Sequence, residues 1–116
     1  MPEHNRIDLI EFPIGGSGDL AAARAFYEAA FAWRFTDYGE YLDTSDSGVT
    51  AGFNAVDDGA RQSAPLAVLY VDDLEAARER VTDAGGTIRH DIYAFPGGRR
   101  FHFVDPAGNE LAVWSQ

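Results

Sequence analysis

The chain has 116 residues, of which 46% are hydrophobic and 24% are charged, and this composition is typical of one globular domain. Its formal net charge of -10 at pH 7 makes nucleic acid and anionic membranes poor partners, so we expect neither. Cysteine is absent and all nine basic residues are arginines, which excludes thiolate chemistry, Cys-ligated metals and lysine Schiff bases.

The beginning of the chain carries no sign of export. The segment "MPEHNRIDLIEF" lacks the basic region and the long apolar region of a secretory signal, and no apolar run approaches the length of a membrane span. We therefore expect a cytoplasmic protein.

The first half of the chain predicts a strand, a helix and three further strands. The helix covers 18–30 and places Leu20, Ala23, Tyr27 and Ala30 on one apolar face. The strand candidates are short and rich in β-formers, and they cover 7–14, 33–38, 40–45 and 49–56.

The second half repeats this order. Its helix covers 72–84, with Asp72 as the N-cap, Glu75 three residues later, and "AGG" at 84–86 as the stop signal. Its strand candidates cover 66–71, 87–93, 100–105 and 109–114.

The two helices resemble each other in sequence. "GDLAAARAFYEAA" (18–30) and "DDLEAARERVTDA" (72–84) share Asp, Leu, Ala, Ala, Arg and Ala at matching positions. A βαβββ unit is therefore used twice, as module one (about 7–56) and module two (about 66–114), joined by a polar linker (57–65). We predict a single α+β domain over 1–116, whose mixed sheet curls around a cleft.

This repeat, with "DLAAARAFYEAAFAW" in the first copy and "FVDPAGNELAVW" in the second, resembles the vicinal oxygen chelate superfamily. That group contains glyoxalase I, bleomycin-resistance proteins and extradiol dioxygenases. The resemblance runs from Ile7 to Trp114 and implies the paired βαβββ fold and a homodimer. Within the second motif, Asp105, Pro106 and Gly108 suit a type I turn.

The resemblance also implies positions for metal ligands, usually His and Glu, on inward-facing strand residues. In this chain those positions fall on Leu9, Leu66, Ala112 and one of Tyr41 or Leu42. A divalent ion needs three or four converging N, O or S donors, and Leu and Ala offer none. We therefore expect no metal and no other cofactor, and we assign no catalytic residue.

The preferred hypothesis is a glyoxalase/bleomycin-resistance-like protein that binds a small organic molecule in its cleft without a metal. The numerous aromatic residues favour an organic ligand. The predicted ligand-binding residues are Leu9, Glu11, Tyr41, Leu66, Val68, His102, Glu110, Ala112 and Trp114.

Two alternatives remain open. One is a lyase, isomerase or dioxygenase in which Glu110, Glu11 and His102 hold a divalent metal. The other is a structural or regulatory subunit with an empty cleft. A simpler interpretation gives Glu11 and Glu110 no function and places them at strand ends in contact with water.

The histidines and one arginine pair are also candidates for a functional role. His102 could be a general base, but packing and hydrogen bonding are commoner roles for a half-buried histidine. His4 and His90 have no partner at a metal-like spacing and receive no function. Arg99 and Arg100 could clamp an anion, although a solvated hairpin tip is the simpler interpretation.

Overall fold

A computed structural model of the chain describes residues 2–15, 17–56 and 64–116. The chain forms two compact units. The first unit is Leu9–Leu66, and the second unit is Met1–Asp8 together with Ala67–Gln116. The predicted linker at 57–65 lies outside the described residues except for its last two positions, so the module boundaries stay a prediction.

The first unit contains one helix and a four-stranded sheet. The strand order is β2-β3-β4-β1, in which β1 pairs with β4 in parallel and the other neighbours are antiparallel. The elements are β1 (Arg6–Pro13, which belongs to this unit from Leu9 onward), α1 (Ser17–Phe31), β2 (Thr36–Asp37), β3 (Tyr41–Thr44) and β4 (Ala51–Asn54).

Helix α1 packs one face on this sheet. Leu20 is buried in a cluster with Leu42 and Phe53, and Ala23 and Tyr27 pack against the same cluster. The prediction that Ala30 extends this apolar face is wrong, because Ala30 is exposed. The chain turns back after the helix, and Trp33 stacks on Tyr27 with ring centroids 4.9 Å apart, so the indole fills the space at the end of the helix.

The predicted strand at 33–38 is also too long, because only Thr36–Asp37 pairs with a neighbour. The residues before Thr36 pack against the hydrophobic core instead, and the Phe35 ring lies 5.3 Å from the Phe53 ring between centroids. The hydrophobicity that suggested a strand here belongs to side chains that cover the end of the helix.

The second unit has the same order of elements. Its strand order is β5-β8-β7-β6, in which β5 pairs with β8 in parallel and the other neighbours are antiparallel. The elements are β5 (Leu66–Tyr70, which belongs to this unit from Ala67 onward), α2 (Leu74–Asp83), β6 (Thr87–Phe95), β7 (Gly98–Val104) and β8 (Glu110–Ser115). The predicted α+β class, with βαβββ used twice in mixed sheets, is confirmed.

Helix α2 begins one residue later than predicted. The N-cap is Asp73, whose side chain accepts a hydrogen bond from the backbone N–H of Ala76 at 3.0 Å, and Asp72 lies outside the helix. Glu75 does not complete a capping box, because its carboxylate binds Arg99. The predicted stop signal is confirmed: Gly86 donates from its backbone N–H to the carbonyl of Val81 at 2.8 Å.

The predicted turn after β7 is confirmed by its hydrogen bonds. Gly108 N–H donates to the Asp105 carbonyl at 3.0 Å, while the Asp105 carboxylate accepts from the backbone N–H groups of Ala107 and Asn109, each at 2.9 Å. These hydrogen bonds, led by those from Asn109, lower the pKa of the Asp105 carboxyl. The turn thus holds β7 and β8 in register.

The sheet of the second unit has one apolar face. Phe101 and Val113 point from the sheet into a buried cluster with Leu74 and Ala77 of α2, and Ile88 and Phe103 pack against it. Side chains alternate along a strand, so the neighbours of Phe101 and Val113 point to the opposite face.

The two helices that the structure describes are too short or too polar to cross a membrane.

Candidate functional site

The face of the second unit's sheet that lies opposite α2 carries two rows of cross-strand neighbours, and we call it the site face. One row runs through the register partners Val68, Ala112, His102 and His90. The next row runs through Tyr70, Trp114, Arg100 and Tyr93. Glu110 lies two residues before Ala112 on β8, so it is the diagonal neighbour of His102.

Irregular pairing in β6 brings two of these side chains to the site face. Ile88 is opposite Phe103 while His90 is opposite His102, so β6 advances two residues as β7 advances one. Between His90 and Tyr93 a second register shift occurs, with three residues on β6 against two on β7. These β-bulges interrupt the alternation of side chains along β6. Ile88 therefore packs on the α2 side of the sheet, while both His90 and Tyr93 point to the site face.

His102 is at the centre of a hydrogen-bonded network. It is buried, with 1% of its surface exposed. Its Nε2 lies 2.9 Å from the Tyr93 hydroxyl and 3.2 Å from Nη2 of Arg100, and its Nδ1 lies 3.2 Å from Oε2 of Glu110. A guanidinium can only donate, so Nε2 of a neutral imidazole accepts, and Nδ1–H donates to the Glu110 carboxylate.

This environment keeps the imidazole neutral. Burial, followed by the positive charge of Arg100, lowers the pKa of His102 from 6.5 to about 4, although the hydrogen bond to Glu110 acts in the opposite direction. At neutral pH the ring therefore carries no charge and works as a fixed acceptor at Nε2 and a fixed donor at Nδ1. It is a poor general base at that pH.

Arg99 and Arg100 are adjacent in sequence and occupy different environments. Arg99 lies at the surface and forms a paired hydrogen bond with Glu75. Arg100 is only 7% exposed, and its guanidinium carbon lies 5.9 Å from the centre of the Tyr93 ring, a cation–π distance. The interpretation of this pair as a solvated hairpin tip is therefore wrong for Arg100. Because side chains alternate along β7, Arg100 points to the site face.

His90 was assigned no partner from the sequence, and this is wrong. Its ring packs edge-on against His102 with centroids 5.0 Å apart. One ligand atom each from His90, His102 and Glu110 lie within 4.8 Å of one another. Two imidazoles and a carboxylate are a known ligand set for Zn²⁺. To bind one, His102 would lose its Nδ1 proton, and the ion would lie close to the Arg100 cation.

In the first unit, Glu11 occupies the sheet face opposite α1. It is 7% exposed, and its carboxylate accepts hydrogen bonds from the Tyr41 hydroxyl at 3.4 Å and from Nδ2 of Asn54 at 3.3 Å. Glu11 is therefore not a solvated strand end. Gly52 is the register partner of Glu11, and the Tyr41 ring lies where a side chain at Gly52 would stand. Leu42 is buried on the α1 side, so Tyr41 is the residue of that pair on this face.

The nine predicted ligand-binding residues divide between the two units. Val68, His102, Glu110, Ala112 and Trp114 share the site face of the second unit, with Val68 and Ala112 fully buried. Leu9, Glu11, Tyr41 and Leu66 belong to the first unit. The sequence analysis gave His90 no role, considered Arg100 only as half of an arginine pair that could clamp an anion, and noted Tyr93 only as one aromatic residue among many.

The residues at the positions that the resemblance assigns to metal ligands do not fit a metal. Leu66 and Ala112 are buried and apolar, and Leu9 is apolar as well. The fourth position holds the phenol of Tyr41. No metal-dependent chemistry is therefore derived from these positions.

The family model of the Glyoxalase/Bleomycin resistance protein/Dioxygenase superfamily matches residues 16–113. The chain belongs to this superfamily. The resemblance seen in the repeat and in the closing turn motif is thereby confirmed.

A curated relative is CFP32 of Mycobacterium tuberculosis, whose name assigns it provisionally to the glyoxylases. It is 26% identical over 107 residues, which cover 83% of this chain. The same protein of Mycobacterium bovis matches equally. The chain spans 41% of the length of these curated relatives.

Solved structures share the fold at low sequence identity. The NAD-dependent benzaldehyde dehydrogenase structure from Legionella pneumophila has a TM-score of 0.75 at 15% identity, covering 92% of this chain and 96% of that one. Methylmalonyl-CoA epimerase of Streptomyces coelicolor, in complex with 2-nitronate-propionyl-CoA, has a TM-score of 0.64 at 16% identity over 98% and 99% of the two chains. The Mn(II)-bound glyoxalase of Novosphingobium aromaticivorans has a TM-score of 0.57 at 20% identity over 97% and 38%.

Proposed function

We propose that this chain binds a small organic molecule without a metal, and that the site face of the second unit supplies the polar contacts. Membership of the superfamily gives the fold, while the residues on the site face determine which chemistry is available. The single observation that carries the proposal is the engagement of both ring nitrogens of His102 by protein groups.

The position of Arg100 supports metal independence. Its guanidinium nitrogen lies 3.2 Å from Nε2 of His102, which is the nitrogen farther from Glu110. A divalent ion at Nδ1 would have to replace the Nδ1 proton and would lie near a buried cation. Two positive charges at this range repel each other, which disfavours a divalent ion at Nδ1.

The composition of the site face supports an organic ligand. Tyr70, Tyr93 and Trp114 provide rings with hydroxyl or N–H groups at their edges, and such side chains contribute both apolar area and hydrogen bonds. The buried polar side chains of His102 and Arg100 lie in the same two cross-strand rows of the site face. Convergent polar groups among aromatic rings are the usual construction of a small-molecule site.

The proposal is tested with a broad panel of metabolites against the metal-free protein. We expect at least one organic compound to raise the melting temperature in the presence of a chelator, because a ligand that binds only the folded state stabilises it. A chain with no shift across the panel would match the alternative of a structural or regulatory subunit, and the proposal would be abandoned.

The second candidate function is the divalent-metal-dependent lyase, isomerase or dioxygenase, and one observation favours it. The ligand atoms of His90, His102 and Glu110 lie within 4.8 Å of one another. His90 takes the place that the sequence hypothesis gave to Glu11, which has its own partners in the first unit. This function requires a stoichiometric metal that is lost in a His90→Gln variant.

The remaining expectations concern the state of the protein in the cell. We retain the expectations of a homodimer and of a cytoplasmic location from the sequence. Light scattering coupled to size-exclusion chromatography measures the first, and a fluorescent fusion measures the second.

A further inference from the structure

We propose that the outward face of α1 binds the same face of a second copy of this chain, with the two helices antiparallel about a twofold axis. The face consists of the exposed residues of α1 from Ala21 to Phe31, and we call it the α1 face. It belongs to the first unit, so the inference does not depend on the ligand of the second unit. It gives the expected homodimer a specific surface and orientation.

The α1 face is apolar although it is exposed. Every exposed residue of α1 from Ala21 to Phe31, except Glu28, is alanine or phenylalanine. Phe26 and Phe31 are each 58% exposed, and their ring centroids lie 6.4 Å apart. A helix whose outer face meets water normally carries charged or polar side chains there. Two neighbouring aromatic rings among alanines are instead typical of a surface that a partner covers.

The second copy of the repeat shows which residues this fold accepts on the outer face of its helix. The exposed residues of α2 are all polar or charged, and they are Glu75, Glu79, Arg80, Thr82 and Asp83. In the aligned repeat, the residues of α1 that match the four charged ones are all apolar, and they are Ala21, Ala25, Phe26 and Ala29. The fold itself therefore does not require apolar side chains here, and a contact outside the unit explains them.

The charges beside the α1 face fit a second copy. Arg24 and Glu28 lie on one flank of the helix, with Nε of Arg24 3.1 Å from Oε2 of Glu28. A twofold axis between antiparallel helices brings the same flank of both copies together, and each contact occurs twice. With the axis near Ala25 and Phe26, Arg24 of each copy faces Glu28 of the other. The flank is therefore complementary to itself in charge.

The size of the α1 face is sufficient for a dimer. Covering its two rings and its alanines removes on the order of 500 Å² from each copy and about 1,000 Å² from the pair, which reaches the lower limit of a specific interface. Alanine side chains also let two helices approach closely. A lipid surface fits less well, because membrane-surface helices are rich in Lys and Arg and α1 has one basic residue, Arg24.

The first experiment measures the dimer dissociation constant by sedimentation velocity over a concentration series. Ala25→Glu places two like charges near the twofold axis, at a position where α2 carries Glu79, so the substitution is compatible with the fold. We expect it to raise the dissociation constant at least about tenfold. The control Thr82→Glu adds the same charge to the exposed face of α2 and should leave the dissociation constant unchanged.

A charge exchange tests the orientation of the helices. Arg24→Glu should weaken the dimer, because the new carboxylate faces Glu28 of the other copy. The double variant Arg24→Glu/Glu28→Arg should restore the dissociation constant of the unaltered chain. A role of this ion pair within α1 alone would change helix stability and leave the dissociation constant of both variants unchanged.

A single cysteine tests the position of the axis. The chain has no cysteine, so Ala25→Cys carries the sole thiol. A residue beside a twofold axis lies close to its own copy, and a disulfide requires the two Cα atoms to lie within about 7 Å. Mild oxidation should therefore link two copies of Ala25→Cys. The control Glu79→Cys, at the matching position of α2, should remain unlinked on a non-reducing gel.

Two results would overturn the inference. One is a chain that stays monomeric at about 100 μM, which would leave a different protein or a lipid surface as the occupant of the α1 face. The other is a dimer whose dissociation constant is the same in Ala25→Glu, which would place the homodimer contact elsewhere. Neither result affects the metabolite panel, because that panel measures ligand binding by the chain and not its association.

Discussion

His102 and Glu110 are diagonal neighbours on β7 and β8, and Nδ1 of the imidazole lies 3.2 Å from Oε2 of the carboxylate. The carboxylate is half-buried, with 21% of its side chain exposed, and the imidazole is buried. The pair fixes which nitrogen carries the proton, because Nε2 already accepts from Arg100. The pairing of this half-buried carboxylate with a buried imidazole beside Arg100 is the feature on which the functional account depends.

The protonation of His102 can be measured directly. Burial and the Arg100 charge lower its pKa to about 4, so we expect its ring to stay neutral, with the proton on Nδ1, until well below the range where an exposed histidine titrates. Nitrogen-15 NMR of the histidine rings reports both the tautomer and the pKa. A ring that titrates near 6.5, or carries its proton on Nε2, would disprove the network.

The same shift predicts a change of stability with pH. The unfolded chain binds a proton at His102 below about pH 6.5 and the folded chain only below about pH 4, so acidification through this window favours unfolding. The loss reaches about 3 kcal/mol when the window has been crossed. Urea unfolding of the unaltered chain and of His102→Gln should differ in pH slope across the window.

Glu110→Gln removes the carboxylate and retains the size of the side chain. Because the hydrogen bond to Glu110 raises the pKa of His102, its loss should lower that pKa further. The weaker bond at a buried ring should also cost about 1–3 kcal/mol of unfolding free energy. The control Glu79→Gln, at an exposed position on α2, should change neither quantity, and an unchanged His102 pKa in Glu110→Gln would contradict the assignment.

Two glycines of the sheets should respond to alanine in different ways. A Cβ on Gly52 would overlap the Tyr41 ring, whereas a Cβ on Gly98 would overlap the backbone carbonyl of Ser115. Gly52→Ala should cost about 1–3 kcal/mol, and most of this cost should vanish when Tyr41 is also replaced by alanine. Gly98→Ala should cost more, because a backbone cannot move aside as a ring can. A Gly52 penalty that persists without Tyr41 would show that the ring does not lie there.

The start of α2 offers a matched pair of adjacent aspartates. Asp73 caps the helix, so Asp73→Ala should lower the unfolding free energy by about 1 kcal/mol. Asp72 lies outside the helix, and its carboxylate is 3.7 Å from His4 on the surface, so Asp72→Ala should cost less than about 0.5 kcal/mol. The reverse order in chemical denaturation would restore the sequence-based assignment of the cap.

The repeat made most of the fold predictable. The hydrophobic pattern and the turn residues located both helices, the terminal strands and the Asp105 turn, because each of these depends on local sequence. The site was only partly predictable, since His90 and Tyr93 reach the site face through bulges that no alternation rule foresees. The sequence treated Arg99 and Arg100 as one pair, because adjacent arginines look alike until the pairing of β7 with β8 fixes which one points to the site face.

The most direct test of the central claim is metal analysis of the purified chain together with a zinc titration followed at the His102 ring. We expect no stoichiometric Zn, Ni, Mn or Fe, and no change in the His102 nitrogen signals when equimolar Zn²⁺ is added, because both ring nitrogens are held by protein partners. One equivalent of a transition metal that moves the Nδ1 signal and is lost in Glu110→Ala would contradict metal-independent binding.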